Sequence, residues 1–264
     1  MVKKLTMVMI SAALLLGLSS CAGITRSMLY FPGNDTRVPD LTGSRLLEIE
    51  SGRNVSRGVF PPGDENLVVL SHGNGGTFYA QQDPARRWRE AVFSVLIVEF
   101  PGYGISADSR LSETAIYRDA EAMIRHVMAQ QGFASGQIVL SGHSLGTGVA
   151  VEMADRGLGR SLVLFTPYTS IEDIGAQSMP RWLVRLVLTD RFDSASKAPG
   201  IDLPALVIHG VRDDVVPFVF GEEISRIFPR GDLMRLDSGE HSFIYEVLDE
   251  AQWQAIVEFA RSAR

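Results

Sequence analysis

The sequence predicts an α/β domain on a mostly parallel sheet with helices on both faces. Two observations carry that expectation. From residue 45 onward, short runs of β-forming residues alternate with longer segments of helical periodicity. Several short runs, Leu67–Ser71 and Ala205–His209 among them, are almost wholly apolar, as strands covered on both faces require. Composition agrees. Of 264 residues, 45% are hydrophobic and 21% charged, which excludes a collagen, a coiled coil and a disordered chain. The net charge of −6 argues against nucleic acid as a partner. The single cysteine excludes an intrachain disulfide and any cysteine-rich zinc site.

The elements follow in order. Lys3 and Lys4 precede an apolar run from Leu5 to Leu18, the pattern of an export signal. The run is too short to span a bilayer comfortably, which takes about 20 apolar residues. Leu18-Ser19-Ser20-Cys21 follows, and the only cysteine of the chain stands at its end. This is similar to the cleavage and acylation box of bacterial lipoproteins, which implies a signal peptide over residues 1–20 and a lipid on Cys21. Ala22 after the cysteine, by the same resemblance, implies export to an outer membrane in a cell that has two. Loss of residues 1–20 removes two lysines and no acids and leaves a net charge of −8. The lipid rather than charge would then hold the protein to its membrane. Residues 21–43 are rich in turn formers (Pro32, Gly33, Asn34, Asp35, Pro39, Gly43) and read as a lipidated tether to a domain over 44–264.

In that domain, strands are expected at Arg45–Glu50, Asn54–Phe60, Leu67–Ser71, Ser94–Phe100, Gln137–Ser141, Ser161–Phe165, Ala205–His209 and Leu233–Leu236. The first two could pair as a hairpin. Helices are expected at Gln82–Ala91, Glu113–Gln131, Leu145–Arg156, Phe218–Ile227 and Leu248–Arg261. Glu113–Gln131 shows the basis: Ala115, Ala122, Ile124, Val127 and Met128 supply an apolar face, Ser112 can cap the start, and Gly132 can stop the end. Sites in such folds lie outside the carboxyl ends of the strands, so residues just after each strand carry the chemistry.

After Gln137–Ser141 comes Gly142-His143-Ser144-Leu145-Gly146, a G-x-S-x-G between a strand and a helix. A turn this sharp strains the serine backbone, aims its oxygen outward, and leaves helix N–H groups beneath it. A serine needs a base. Of the five histidines, His126 lies mid-helix, His143 abuts the serine at the wrong angle, and His209 closes a buried strand as a packing residue. His72 heads a glycine-rich turn. His241, in Asp237-Ser238-Gly239-Glu240-His241 after the last strand, alone has the position and the loop freedom. The orienting acid should follow an intervening strand, and Asp213 and Asp214 after Ala205–His209 both qualify. The side-chain-poor turn His72-Gly73-Asn74-Gly75-Gly76 lets a backbone N–H approach an oxyanion, with a second from Leu145.

With these residues in order, the chain resembles the α/β-hydrolase superfamily, and more narrowly its Bem46-like and ABHD13/ABHD17-like serine hydrolases. The matching segments are Leu70–Gly76, Glu99-Phe100-Pro101-Gly102-Tyr103-Gly104-Ile105-Ser106, Gly142–Val151, Thr166–Ser170 and Ile208–Pro217. The family form H-G-x-x-D-x-x-V-P implies Asp213 as the acid. Glu240 replaces the family's glycine before His241, and Glu99 stands where relatives often have aspartate, with no evident catalytic consequence. The resemblance implies Ser144 as nucleophile, His241 as base and Asp213 as its partner, with the Asn74 and Leu145 N–H groups as oxyanion hole. It implies no metal and no organic cofactor, and small-molecule esters, thioesters or lipids as substrates. A peptidase or acyltransferase could use the same residues, and a non-catalytic envelope lipoprotein could keep the fold for binding.

Residues 166–200 fall where such folds insert a small cap. Met179, Trp182, Leu183, Leu186 and Val187 form one apolar stripe, expected to pack into the core. The sharper reading of the same stripe is a lid that lines an acyl site or touches a bilayer.

Overall fold

The computed structural model describes residues 26–63 and 66–263. The expected signal peptide and Cys21 lie outside the described residues. None of the described helices is long and apolar enough to cross a membrane.

Eight strands form one sheet: β1 (Arg45–Ser51), β2 (Asn54–Phe60), β3 (Leu67–Ser71), β4 (Ser94–Glu99), β5 (Ile138–His143), β6 (Ser161–Phe165), β7 (Ala205–Gly210) and β8 (Gly231–Leu236). Their order is β1-β2-β4-β3-β5-β6-β7-β8. The early hairpin forms as expected, β1 pairing antiparallel with β2 around Gly52, whose φ of 62° suits a glycine. β2 meets β4 antiparallel, and every later pairing is parallel. The mostly parallel sheet and the α/β-hydrolase fold class expected from the sequence are therefore the architecture found.

The helices are α1 (Gln82–Glu90), α2 (Glu113–Gln131), α3 (Leu145–Asp155), α4 (Ile171–Gly175), α5 (Arg181–Val187), α6 (Ser194–Lys197), α7 (Phe218–Ile227) and α8 (Glu250–Ser262). The two-residue period of the strands divides the core. On β3 and β4, Leu67, Val69, Leu96 and Val98 face the side covered by α2, α3 and α7. Val68, Leu70, Val95 and Ile97 face Trp88 of α1 and Trp253 of α8 on the other side. The central strands are buried throughout, which explains their nearly unbroken apolar sequence. Ser112 caps α2 through the Ala115 N–H, and Gly132 ends it at φ 79°. α8 starts two residues later than its apolar pattern suggested. Asp249 caps it by accepting from the Gln252 N–H, while Gln252 Oε1 accepts from the Asp249 N–H.

Two expectations need correction. The described part of the expected tether is seated on the domain rather than trailing from it. Tyr30 is buried in the core with its hydroxyl on Asp190, and Leu41 is buried as well. The stripe on residues 179–187 is not core. Trp182 and Leu186 are 68% and 75% exposed, and Met179 and Val187 also face out. α5 packs inward through Val184, against Gly175 of α4.

Candidate active site

The site is assembled at the carboxyl ends of β3, β5 and β7 and in the loop after β8. Ser144 stands between β5 and α3 with φ 51° and ψ −117°, a conformation few side chains tolerate. Only glycines permit the turn. A Cβ on Gly142 would overlap the Gly146 carbonyl, and one on Gly146 would overlap the Ser71 carbonyl. The Ser144 N–H is held by the Phe165 carbonyl at 2.9 Å, which ties the turn to the neighbouring strand.

The structure brings three of the sequence-selected residues into one line. His241 Nε2 lies 2.8 Å from Ser144 Oγ, and His241 Nδ1 lies 2.8 Å from Asp213 Oδ2. Asp213 can only accept while ionised, so its partner nitrogen carries the proton and Nε2 is left to take the serine's. Asp214 is exposed, whereas the Asp213 side chain is fully buried. The Asp213 carboxylate accepts from the backbone N–H groups of Val215 and Val216 at 3.0 and 2.7 Å. Burial opposes its ionisation, but hydrogen bonds from His209 and His241, the charge of His241 and the Val216 N–H outweigh that. Its pKa is held well below the ordinary carboxylate range.

His209 is the residue the sequence reading misjudged. Its Nε2 donates to the Val216 carbonyl at 2.9 Å and stands 3.3 Å from Asp213 Oδ2. A second imidazole thus stands against the same carboxylate oxygen that His241 approaches. A buried polar side chain needs partners, and that rule applied to a fully buried histidine four residues before Asp213 was the available signal. His143, set aside as a base, has a use too. Its Nε2 lies 3.1 Å from the His241 carbonyl, so the Ser144 turn holds the backbone of the loop that carries His241. Burial, then the neighbouring His241, lowers the His143 pKa to about 4.

The turn His72–Gly76 lies against Ser144, since a Cβ on Gly73 would sit 3.5 Å from that of Ser144. Leu145 is the first residue of α3, where an N–H has no intrahelical acceptor. The Asn74 side chain is fastened at both ends. Its Oδ1 accepts from Phe31 N–H and Tyr103 Oη, and its Nδ2 donates to the Leu29 carbonyl. Beneath the turn, the two His72 ring nitrogens face the Gly73 carbonyl and Glu99 Oε1, both at 2.9 Å. Glu99 Oε1 also accepts from Phe78 N–H. Glu99 therefore supports the turn that holds Asn74, a role the sequence reading did not give it. Among the described residues no group of three or more His, Cys, Asp or Glu side chains is placed to hold a metal ion.

A family model described as serine aminopeptidase, S33, matches residues 63–192, a span that ends before Asp213 and His241. An uncharacterised protein of Mycobacterium tuberculosis is 30% identical over 208 residues, covering 75% of this chain and 73% of that one. The alpha/beta hydrolase domain-containing protein 17C of Xenopus tropicalis is 29% identical over 175 residues, or 64% of this chain and 53% of that protein. The chain belongs to the α/β-hydrolase superfamily. The superfamily fold is seen in the crystal structure of a Pyrococcus furiosus esterase. That structure matches with a TM-score of 0.72 at 19% identity, covering 87% of this chain and 99% of the esterase.

Proposed function

We propose that this α/β hydrolase is a lipid-anchored serine hydrolase that cleaves carboxylic ester or thioester bonds through an acyl-enzyme. The carrying observation is the Ser144–His241–Asp213 line, with both links at 2.8 Å on a strained serine. His241 takes the Ser144 proton as Oγ adds to the substrate carbonyl, and Asp213 stabilises the imidazolium that results. The Asn74 and Leu145 N–H groups receive the oxyanion. Collapse breaks the bond to the leaving alkoxide or thiolate, to which His241 returns the proton. Water, activated by the same histidine, then releases the acid and regenerates Ser144. Ser144 is 9% exposed, so its exchange with His241 is shielded from bulk water.

Labelling with a fluorophosphonate, followed by a chain-length series of aryl esters and thioesters, tests the reading. Wild type should label and turn over, and Ser144→Ala should do neither. Equal labelling of both proteins would defeat it, and cleavage of peptide amides without esters would favour the peptidase reading that the family description suggests.

The anchor in this proposal is Cys21, supported by Leu18-Ser19-Ser20-Cys21 behind an apolar run. The proposed address is the bacterial cell envelope. Cys21→Ser should remove the lipid from the intact mass and weaken the protein's hold on membranes. Unmodified wild type with unchanged membrane association would reject it.

A further inference from the structure

α5 is attached to the domain the wrong way out for a soluble helix. Its two arginines, themselves half or more exposed, pair with carboxylates of the neighbouring helix: Arg181 Nη1 lies 2.6 Å from Asp173 and 3.1 Å from Glu172, and Arg185 Nε lies 2.7 Å from Glu172. Val184 packs inward on Gly175. Trp182 and Leu186 point to solvent with Met179 and Val187. A helix whose ion pairs hold it down and whose apolar stripe faces out is built to meet a second apolar phase.

The start of the described chain says which phase. Arg26 binds Asp190 through two hydrogen bonds of 2.8 and 3.1 Å, and the Tyr30 hydroxyl joins them at 2.9 Å. Glu113 holds the same loop through the Arg191 and Phe192 N–H groups. Asp190 is three residues beyond the end of α5, so the chain is pinned within about 11 Å of that helix. Only four residues, 22–25, lie between Cys21 and Arg26, a reach of about 18 Å at most over the five steps. Met28 and Phe31, in the same docked segment, are 66% and 63% exposed.

We propose that the outer face of α5, together with Met28 and Phe31, seats on the surface of a lipid bilayer. The proposal rests on the lipid-anchor reading for the local concentration it supplies. It adds an orientation, in which the anchored enzyme presents the end of the molecule near Asn74 and Ser144 to the membrane. Its substrates are then acyl groups held in or at that bilayer. Charge does not drive the contact, because the arginines of α5 already have carboxylate partners. Binding is therefore expected on zwitterionic lipid and at high salt.

Tryptophan fluorescence reads the contact, since Trp88 and Trp253 are buried and Trp182 alone is exposed. The full chain is placed on phosphatidylcholine vesicles, with and without acyl-chain bromination, and its intact mass reports the lipid on Cys21. The expected result is a blue-shifted emission, quenched by brominated lipid and unchanged by salt. Leu186→Asp should weaken vesicle partitioning of the Cys21→Ser protein by about tenfold, the worth of one well-buried leucine. It should also slow hydrolysis of vesicle-borne esters and leave that of a water-soluble aryl ester unchanged. An acylated wild type on vesicles whose Trp182 is unquenched and open to iodide would overturn the proposal while the anchor stands. An unmodified wild type would defeat the anchor instead. Quenching of Trp182 in that protein would still uphold the face, and its absence would overturn it. Quenching that salt abolishes would overturn it as well.

Discussion

The turn that carries Ser144 and the helix that carries Trp182 both read clearly as patterns, and the structure treats them oppositely. At the turn, Gly142 and Gly146 are fixed by backbone crowding, so residue type dictates geometry and geometry dictates position. On α5, the spacing from Met179 to Val187 fixes only which side chains share a face. Which face turns inward depends on the neighbour: Val184 seats on Gly175 of α4, and Glu172 and Asp173 of that helix engage Arg181 and Arg185. Periodicity has no sign until a partner supplies one.

The sharpest way to break the contrast is at the acid. Asp213→Asn should lower kcat by about 10⁴, since the amide favours the wrong histidine tautomer. That corresponds to about 5.5 kcal/mol of barrier. Exposed Asp214→Asn should cost far less in the same assay, and the reverse ranking would shift the acid by one residue.

One step down, His209→Leu removes a donor from an ionised carboxylate, a loss of about 1.5–3 kcal/mol, or roughly ten- to hundredfold. If His209 positions Asp213, kcat should fall with little change in KM. His209→Gln, which retains an N–H donor, should recover part of it. Equal loss in both variants, tracking their melting temperatures, would reduce His209 to packing.

A pH-dependent effect on stability rather than on rate is expected at His143. A histidine whose folded pKa is about 4, against about 6.5 unfolded, binds its proton less readily in the folded state. The stability this gives is present above pH ~6.5 and is lost as pH falls toward 4. His143→Gln keeps a donor for the His241 carbonyl and does not titrate. Its melting temperature should therefore fall less than that of wild type across this window, and parallel curves would contradict the assignment. Asp213, with its depressed pKa, stays ionised through the same range and should contribute its own loss only at lower pH.

The smallest effect belongs to α5. Trp182→Ala and Leu186→Ala each remove exposed side chains, so stability should change by no more than about 0.5 kcal/mol. Calorimetry that found a loss of about 2 kcal/mol or more would return the stripe to the core.

The strands, and most helix ends, were legible because central strands in a covered sheet tolerate little but apolar residues. Ser144 and His241 were legible from their places after β5 and β8. The choice between Asp213 and Asp214 was not readable from the residues alone. The two differ only in which way a turn aims them, and Val215, Val216 and His209 decide that. His209 and Glu99 were hidden for a related reason. Each ends an apolar strand and resembles a packing position, while its role depends on a turn several residues away or on another strand.

The fastening of Asn74 bears on how this enzyme should be handled. Two of its three side-chain partners, Leu29 and Phe31, belong to the segment that precedes the sheet. That stretch is thus a splint for the loop beside Ser144. A shortened version starting at Gly33, cut for convenience of purification, would keep its sheet and its serine. It would leave the Asn74 side chain with Tyr103 as its one remaining partner of the three, and an activity measured on it would describe an injured protein.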